Sequence, residues 1–121
     1  MMSLNATLKE MGTHVDELIA VGVIGRDGML VAEYNPAGIN MEGVYARFSM
    51  ILMNAEESVA ELEALGNFED NVVIIQTAKV KVLTRLLGPQ YFLSMVVDRA
   101  CPLSKVLKIV NKYQMGLRKE I

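Results

Sequence analysis

Residues 40–65, NMEGVYARFSMILMNAEESVAELEAL, decide how this chain reads. Asn40 is suited to an N-cap, because its side-chain oxygen can accept from a free amide of the first turn. Met41, Val44, Phe48, Ile51, Leu52, Ala55, Val59 and Leu62 then recur at three- and four-residue steps and form one apolar stripe. Gly66-Asn67 supplies a residue free to adopt the left-handed cap that ends a helix. A second apolar band, Ala46, Met50, Met53, Ala60 and Ala64, lies roughly opposite the first. Arg47, Asn54 and Glu61 border it on one flank, and Ser49, Glu56 and Glu63 on the other. A helix resting on a sheet needs only one apolar stripe. A second, built from small residues and methionines, predicts that another helix or another protein packs there. The simplest alternative is a terminal helix of the same chain.

Working outward, Ser3 can cap a short first helix whose apolar face is Leu4, Leu8, Met11 and Val15. Leu18 to Ile24 is almost continuously apolar, as in a strand buried on both faces. Gly25-Arg26-Asp27-Gly28 turns it into a return strand from Met29 to Tyr34, and Asn35-Pro36-Ala37-Gly38 leads into the long helix. After that helix, Val72 to Gln76, Val80 to Leu87 and Tyr91 to Val97 are joined by short turns and read as an antiparallel meander. On the middle run Val80, Val82, Thr84 and Leu86 share one face, and Lys81, Leu83, Arg85 and Leu87 the other. Pro102 fits the first position of a last helix. Its apolar face is Leu103, Val106, Leu107, Val110, Tyr113 and Leu117, with Lys105, Lys108, Lys112 and Lys119 opposite. Strands that are apolar on both sides need helices on both sheet faces, so the long helix covers one face and the terminal helices the other.

Length and composition bound the function. Residues 1–121 fit a single domain with a real core, since 52% are hydrophobic. The formal charge of −2 is mixed along the chain and argues against a nucleic-acid partner. No apolar run is long enough for direct membrane insertion, and Met-Met-Ser-Leu-Asn lacks a signal-peptide layout. A lone cysteine, Cys101, excludes an internal disulfide and fits a cytoplasmic setting, as a buried or half-buried residue. The glycines at 22, 25 and 28 lack a following Lys-Ser/Thr and lead into a strand, so they read as a hairpin turn and not as a phosphate loop. His14, the only histidine, rules out a histidine metal cluster and reads as a surface or capping residue. Glu56, Glu57, Glu61 and Glu63 spread around the helix as solvated charge. The expectation is therefore no catalytic residues, no metal and no cofactor. The lysine stripe reads as the water-facing side of the last helix, or as a docking face for an acidic partner or an anionic membrane.

The segment Glu17 to Ala32, with Val21-Gly22-Val23 and Asp27-Gly28, resembles the first hairpin of the roadblock (dynein light-chain) family. So do Thr77 after the third strand and Leu87-Gly88 before the fifth. The resemblance spans about residues 4–113. It departs at Cys101-Pro102-Leu103, where the family often has an Asn-Leu-Gly-like entry to the last helix. What it implies is an α/β (α+β layered) fold: a five-stranded antiparallel sheet between one long helix and two terminal helices, in a roadblock, profilin-like arrangement. Such domains commonly dimerise by joining third strands, with the two long helices side by side. They act as non-catalytic platforms, often for small Ras-like GTPases. In bacterial gliding-motility members the dimer promotes GTP hydrolysis by rearranging the GTPase's own residues. Carried to this sequence, the dimer interface is Val72, Val73, Ile74 and Ile75, while Ala46, Met50, Met53, Ala60 and Ala64 meet the twin or the partner. Two other classes stay open: an assembly adaptor without a GTPase, and a small-molecule sensor with an enclosed pocket.

Overall fold

Alternation in the strands places the helices. In the computed structural model, which describes residues 3–61 and 72–121, β1 (Leu18–Gly25) sits beside β2 (Leu30–Tyr34) and β5 (Tyr91–Asp98). On β1, Val21 and Val23 point to one side, and Ala20 and Ile24 to the other. β4 (Val80–Leu86) splits the same way, with Leu83 on the first side and Val82 on the second, as the sequence alternation predicts. The described strands form one antiparallel sheet in the order β2-β1-β5-β4-β3, with β3 spanning Val72–Gln76.

Two apolar layers follow. On the first side, α1 (Leu4–Thr13) and α3 (Leu103–Glu120) bury Leu8, Met11, Val106, Val110 and Leu117 against Val21, Leu93 and Met95. On the second, α2 (Glu42–Ala60) buries Met41 and Tyr45 against Ala20, Ile24, Val82 and Val96. The alternative in which a terminal helix covers the second band of α2 is therefore not realised, because α1 and α3 pack together across the sheet from it.

The helix starts follow local chemistry. Ser3 Oγ accepts the amide of Ala6 at 3.2 Å and caps α1. His14 is exposed and ends it as the C-cap. Asn40 does bond to the first turn, through Oδ1 to the amide of Glu42 at 3.3 Å, but the helix proper begins one residue later than expected, with Met41 as N-cap. Pro102 also sits one position earlier than expected: it is the N-cap of α3, in an extended conformation, and Leu103 is the first helical residue. The hairpin between β1 and β2 closes through the Gly25 amide to the Met29 carbonyl, and Gly28 takes φ +84°, a conformation that suits glycine. The expected helix end at Gly66-Asn67 lies outside the described residues.

The rotation of α2 departs from the sequence pattern. Its buried seam is Met41, Tyr45, Ser49 and Leu52, running between the two apolar bands and not along the centre of the first. Ser49, expected on a polar flank, is buried because its hydroxyl donates to the Tyr45 carbonyl at 2.9 Å and so needs no water. Glu56 is likewise half-buried instead of solvated, with Oε2 3.5 Å from the Arg26 guanidinium.

Candidate protein-interaction surface

The two edges of the sheet are built differently. Strand β2 is blunted: its register with β1 slips at Val23/Ile24, leaving Val31 as an extra residue. Its outward amide at Glu33 is taken by Asn5 Oδ1 of α1 at 3.0 Å. Such devices stop an edge from pairing with another chain. Among the described residues, strand β3 has neither. It pairs with β4 in continuous register from Val72↔Arg85 to Gln76↔Lys81. The Thr77 amide donates to the Val80 carbonyl at 2.9 Å, which sets the alternation of the ladder. By that alternation Ile74 and Val72 direct their amides and carbonyls away from β4. Among the described residues, nothing caps them.

All four residues expected at a dimer interface lie on this edge. Val72, Val73 and Ile75 are half-buried, and Ile74 is 38% exposed. Val73 and Ile75 lie on the α2 side, Val72 and Ile74 on the α3 side, where they line an open groove of about 420 Å³ with Leu107, Asn111 and Arg85. The buried Arg85 donates to Asn111 Oδ1, which no pattern in the sequence signals.

The expected band on α2 is partly open to solvent. Met50 is 59% exposed and Ala60 is exposed, whereas Ala46 and Met53 are half-buried; Ala64 lies outside the described residues. Ile51, which the heptad-like spacing assigns to the first stripe, is also exposed, so the apolar surface of α2 is wider than the band. α2 packs over β3 as well as over β1, β4 and β5, so it lies on one face of the sheet and reaches its β3 edge.

Tyr45 fixes how α2 sits. Its ring lies directly over Gly22, where an added Cβ would come within 2.7 Å of a ring carbon. A glycine inside an apolar strand is the sequence signal for such a close approach. Burial, and secondarily the Glu33 carboxylate, pushes the Tyr45 phenol well above its ordinary pKa, so it stays neutral. At the other end of the helix, Arg26 ties the β1–β2 turn to Glu56, donates to the Pro89 carbonyl and stacks over Phe92 at 5.4 Å. These ties make α2 a firm platform.

Among the described residues there is no group of histidine, cysteine and carboxylate side chains able to hold a metal, and no helix long and apolar enough to cross a membrane. Cys101 is fully buried at the entry to α3, and burial raises its thiol pKa.

No family model and no curated protein sequence matches this chain. Solved structures do. MglB of Myxococcus xanthus superposes with a TM-score of 0.79 at 18% identity, covering 96% of this chain and 92% of MglB. A roadblock/LC7 domain from Streptomyces avermitilis superposes with a TM-score of 0.76 at 11% identity, over 96% of this chain and 98% of that one. The fold is that of a roadblock/LC7 domain. A structure described as gliding protein MglB from Thermus thermophilus gives a TM-score of 0.73 at 18% identity, over 99% of this chain and 92% of its own. The five-stranded sheet between one long and two terminal helices is thus the roadblock, profilin-like arrangement that the hairpin motifs imply.

Proposed function

We propose that this roadblock domain is a non-catalytic homodimeric scaffold that binds and regulates a small Ras-like GTPase. The observation that carries the reading is the unblunted β3 edge beside an exposed apolar face of α2, in a molecule whose other edge is closed by a bulge and by Asn5. An open apolar edge is an aggregation hazard unless it pairs. Pairing with a second β3 continues the sheet and sets two α2 helices side by side. The joined helices then offer Met50, Ile51 and Met53 to a partner, and methionine adapts to surfaces of varied shape. The likeness to gliding proteins of the same fold supports a GTPase as that partner.

In this reading the chain contributes no nucleotide-binding group of its own. It acts by holding the partner's own residues in place. The test is a turnover assay with a small GTPase encoded near this gene. The purified chain alone should neither bind nor hydrolyse GTP, and adding it should change the GTPase's rate. GTP binding by the chain alone, or no effect and no complex with the GTPase, contradicts the reading.

A further inference from the structure

The basic row on α3 plays no part in that reading. Lys108, Lys112, Met115 and Lys119 follow at steps of four, three and four residues, and so lie on one line along the helix. The line faces away from the sheet: Val106, Val110 and Leu117 are buried, whereas all four residues of the row are exposed. Met115, in the middle of the row, is 63% exposed.

No acid interrupts the row, and the acids nearest to it point elsewhere. Glu17 of the β1 approach is paired with Lys105 Nζ at 3.0 Å. Glu120 accepts from Thr7 Oγ1 at 2.8 Å on the inner side. Glu10 of α1 lies toward Tyr113, whose ring carries Lys112 Nζ at 5.5 Å. The helix across the sheet has the opposite balance, with Glu42, Glu56 and Glu57 against Arg47. Of the two helices, α3 is therefore the basic one and α2 the acidic one.

We propose that the outer face of α3 docks on an anionic lipid surface. The row is an exposed line along one helix, so it suits an extended layer of charge better than a single buried contact. Its cations are lysines, which act as point charges and do not offer the planar fork that recognises single carboxylates. Met115 stands exposed among them, and apolar contact added to basic charge is what interfacial helices use. The strength of docking rests on the homodimer proposed above. Antiparallel pairing of two β3 strands extends the sheet about an axis normal to it, so both α3 helices face the same side. The two rows then engage one surface together, and the second binds at high effective concentration. Both α2 helices face away from that surface, free for a partner.

The test is co-sedimentation of the full chain with vesicles, with light scattering on the same samples. One vesicle set is neutral phosphatidylcholine and the other contains about one-third phosphatidylserine or phosphatidylglycerol. The chain should sediment with the anionic vesicles alone, and lose binding near 0.5 M salt, where the Debye length is about 4 Å. Each neutralised lysine should weaken binding by about fivefold, so Lys108→Gln or Lys112→Gln, which neutralises two in the dimer, should weaken it by about 25-fold. Met115→Ala should weaken it while leaving the salt dependence in place. These positions are exposed, so circular dichroism should be unchanged. Absence of binding to anionic vesicles overturns the proposal, even if the row captures an acidic polypeptide instead. Equal binding by a Lys108→Glu/Lys112→Glu/Lys119→Glu variant also overturns it. A monomeric chain that still sediments with anionic vesicles supports the docking face while refuting the dimer, so the two failures are distinguishable.

Discussion

Gly22→Ala tests how the sheet sets the position of α2. A Cβ at residue 22 would lie 2.7 Å from Tyr45 Cε2, 3.0 Å from Cζ and 3.2 Å from Cδ2. The Tyr45 ring is fully buried and cannot swing into solvent. Either the ring leaves its rotamer or α2 lifts from the sheet, and overpacking of this kind costs about 1–3 kcal/mol. Replacing glycine restricts the unfolded chain and returns about 0.4–1 kcal/mol. A contact of 2.7 Å on a buried ring puts the cost in the upper half of its range, so the net loss is about 1–2.5 kcal/mol, which for a domain of this size lowers the thermal midpoint by about 3–10 °C. The assay is thermal or urea unfolding of Gly22→Ala, Tyr45→Leu and the double variant. Tyr45→Leu alone should cost about 2–4 kcal/mol through the space it leaves. In the double variant the new methyl occupies part of that space, so the two losses should sum to more than the measured loss by about 1 kcal/mol. A Gly22→Ala chain as stable as the parent, or single effects that add within about 0.5 kcal/mol, refutes the packing argument.

Met50→Lys with Met53→Glu should keep the circular-dichroism spectrum and lose dimer or GTPase binding; each single variant controls for pairing of the new charges, and unfolding of both singles would make the band core. Arg26→Ala removes the ion pair to Glu56 and the stacking on Phe92, and should lower stability by about 0.5–1.5 kcal/mol in urea, with Glu56→Gln costing less. The hydrogen bond from Lys105 holds the Glu17 carboxyl below its ordinary pKa, so the stability it adds is present above the ordinary carboxylate range and is lost as the pH falls through the lowered value. Lys105→Met should flatten that acid limb in a thermal-midpoint titration, and an unchanged limb would remove the pair from the account.

The element order and the two-sided layering were legible because each strand and helix carries a burial pattern of its own period. Val82 and Leu83 facing opposite helices is what alternation on Val80–Leu86 demands. The seam of α2 was not legible. Tyr45 and Ser49 look polar on a wheel, yet the Tyr45 ring packs onto Gly22, and Ser49 satisfies its hydroxyl on its own helix. Both facts depend on what lies across the gap, which periodicity within one helix does not contain. Glu56 misled for the same reason, since Arg26 comes from a turn thirty residues earlier. The apolar run at residues 72–75 announced a strand, but its place at an edge of the sheet comes from the pairing of β4 with β5 on its other side.

In the proposed dimer, β3 joins a second copy through its outer edge. The direct measurement is light scattering on the parent chain and on Ile74→Pro at tens of micromolar. Proline removes an outward amide and spares the ladder to β4, a substitution that edge strands tolerate. The parent should have twice the mass of one chain, with an interface near the standard total of roughly 1,600 Å². Ile74→Pro should be folded and monomeric. A monomeric parent, or an Ile74→Pro chain that still dimerises, contradicts the account.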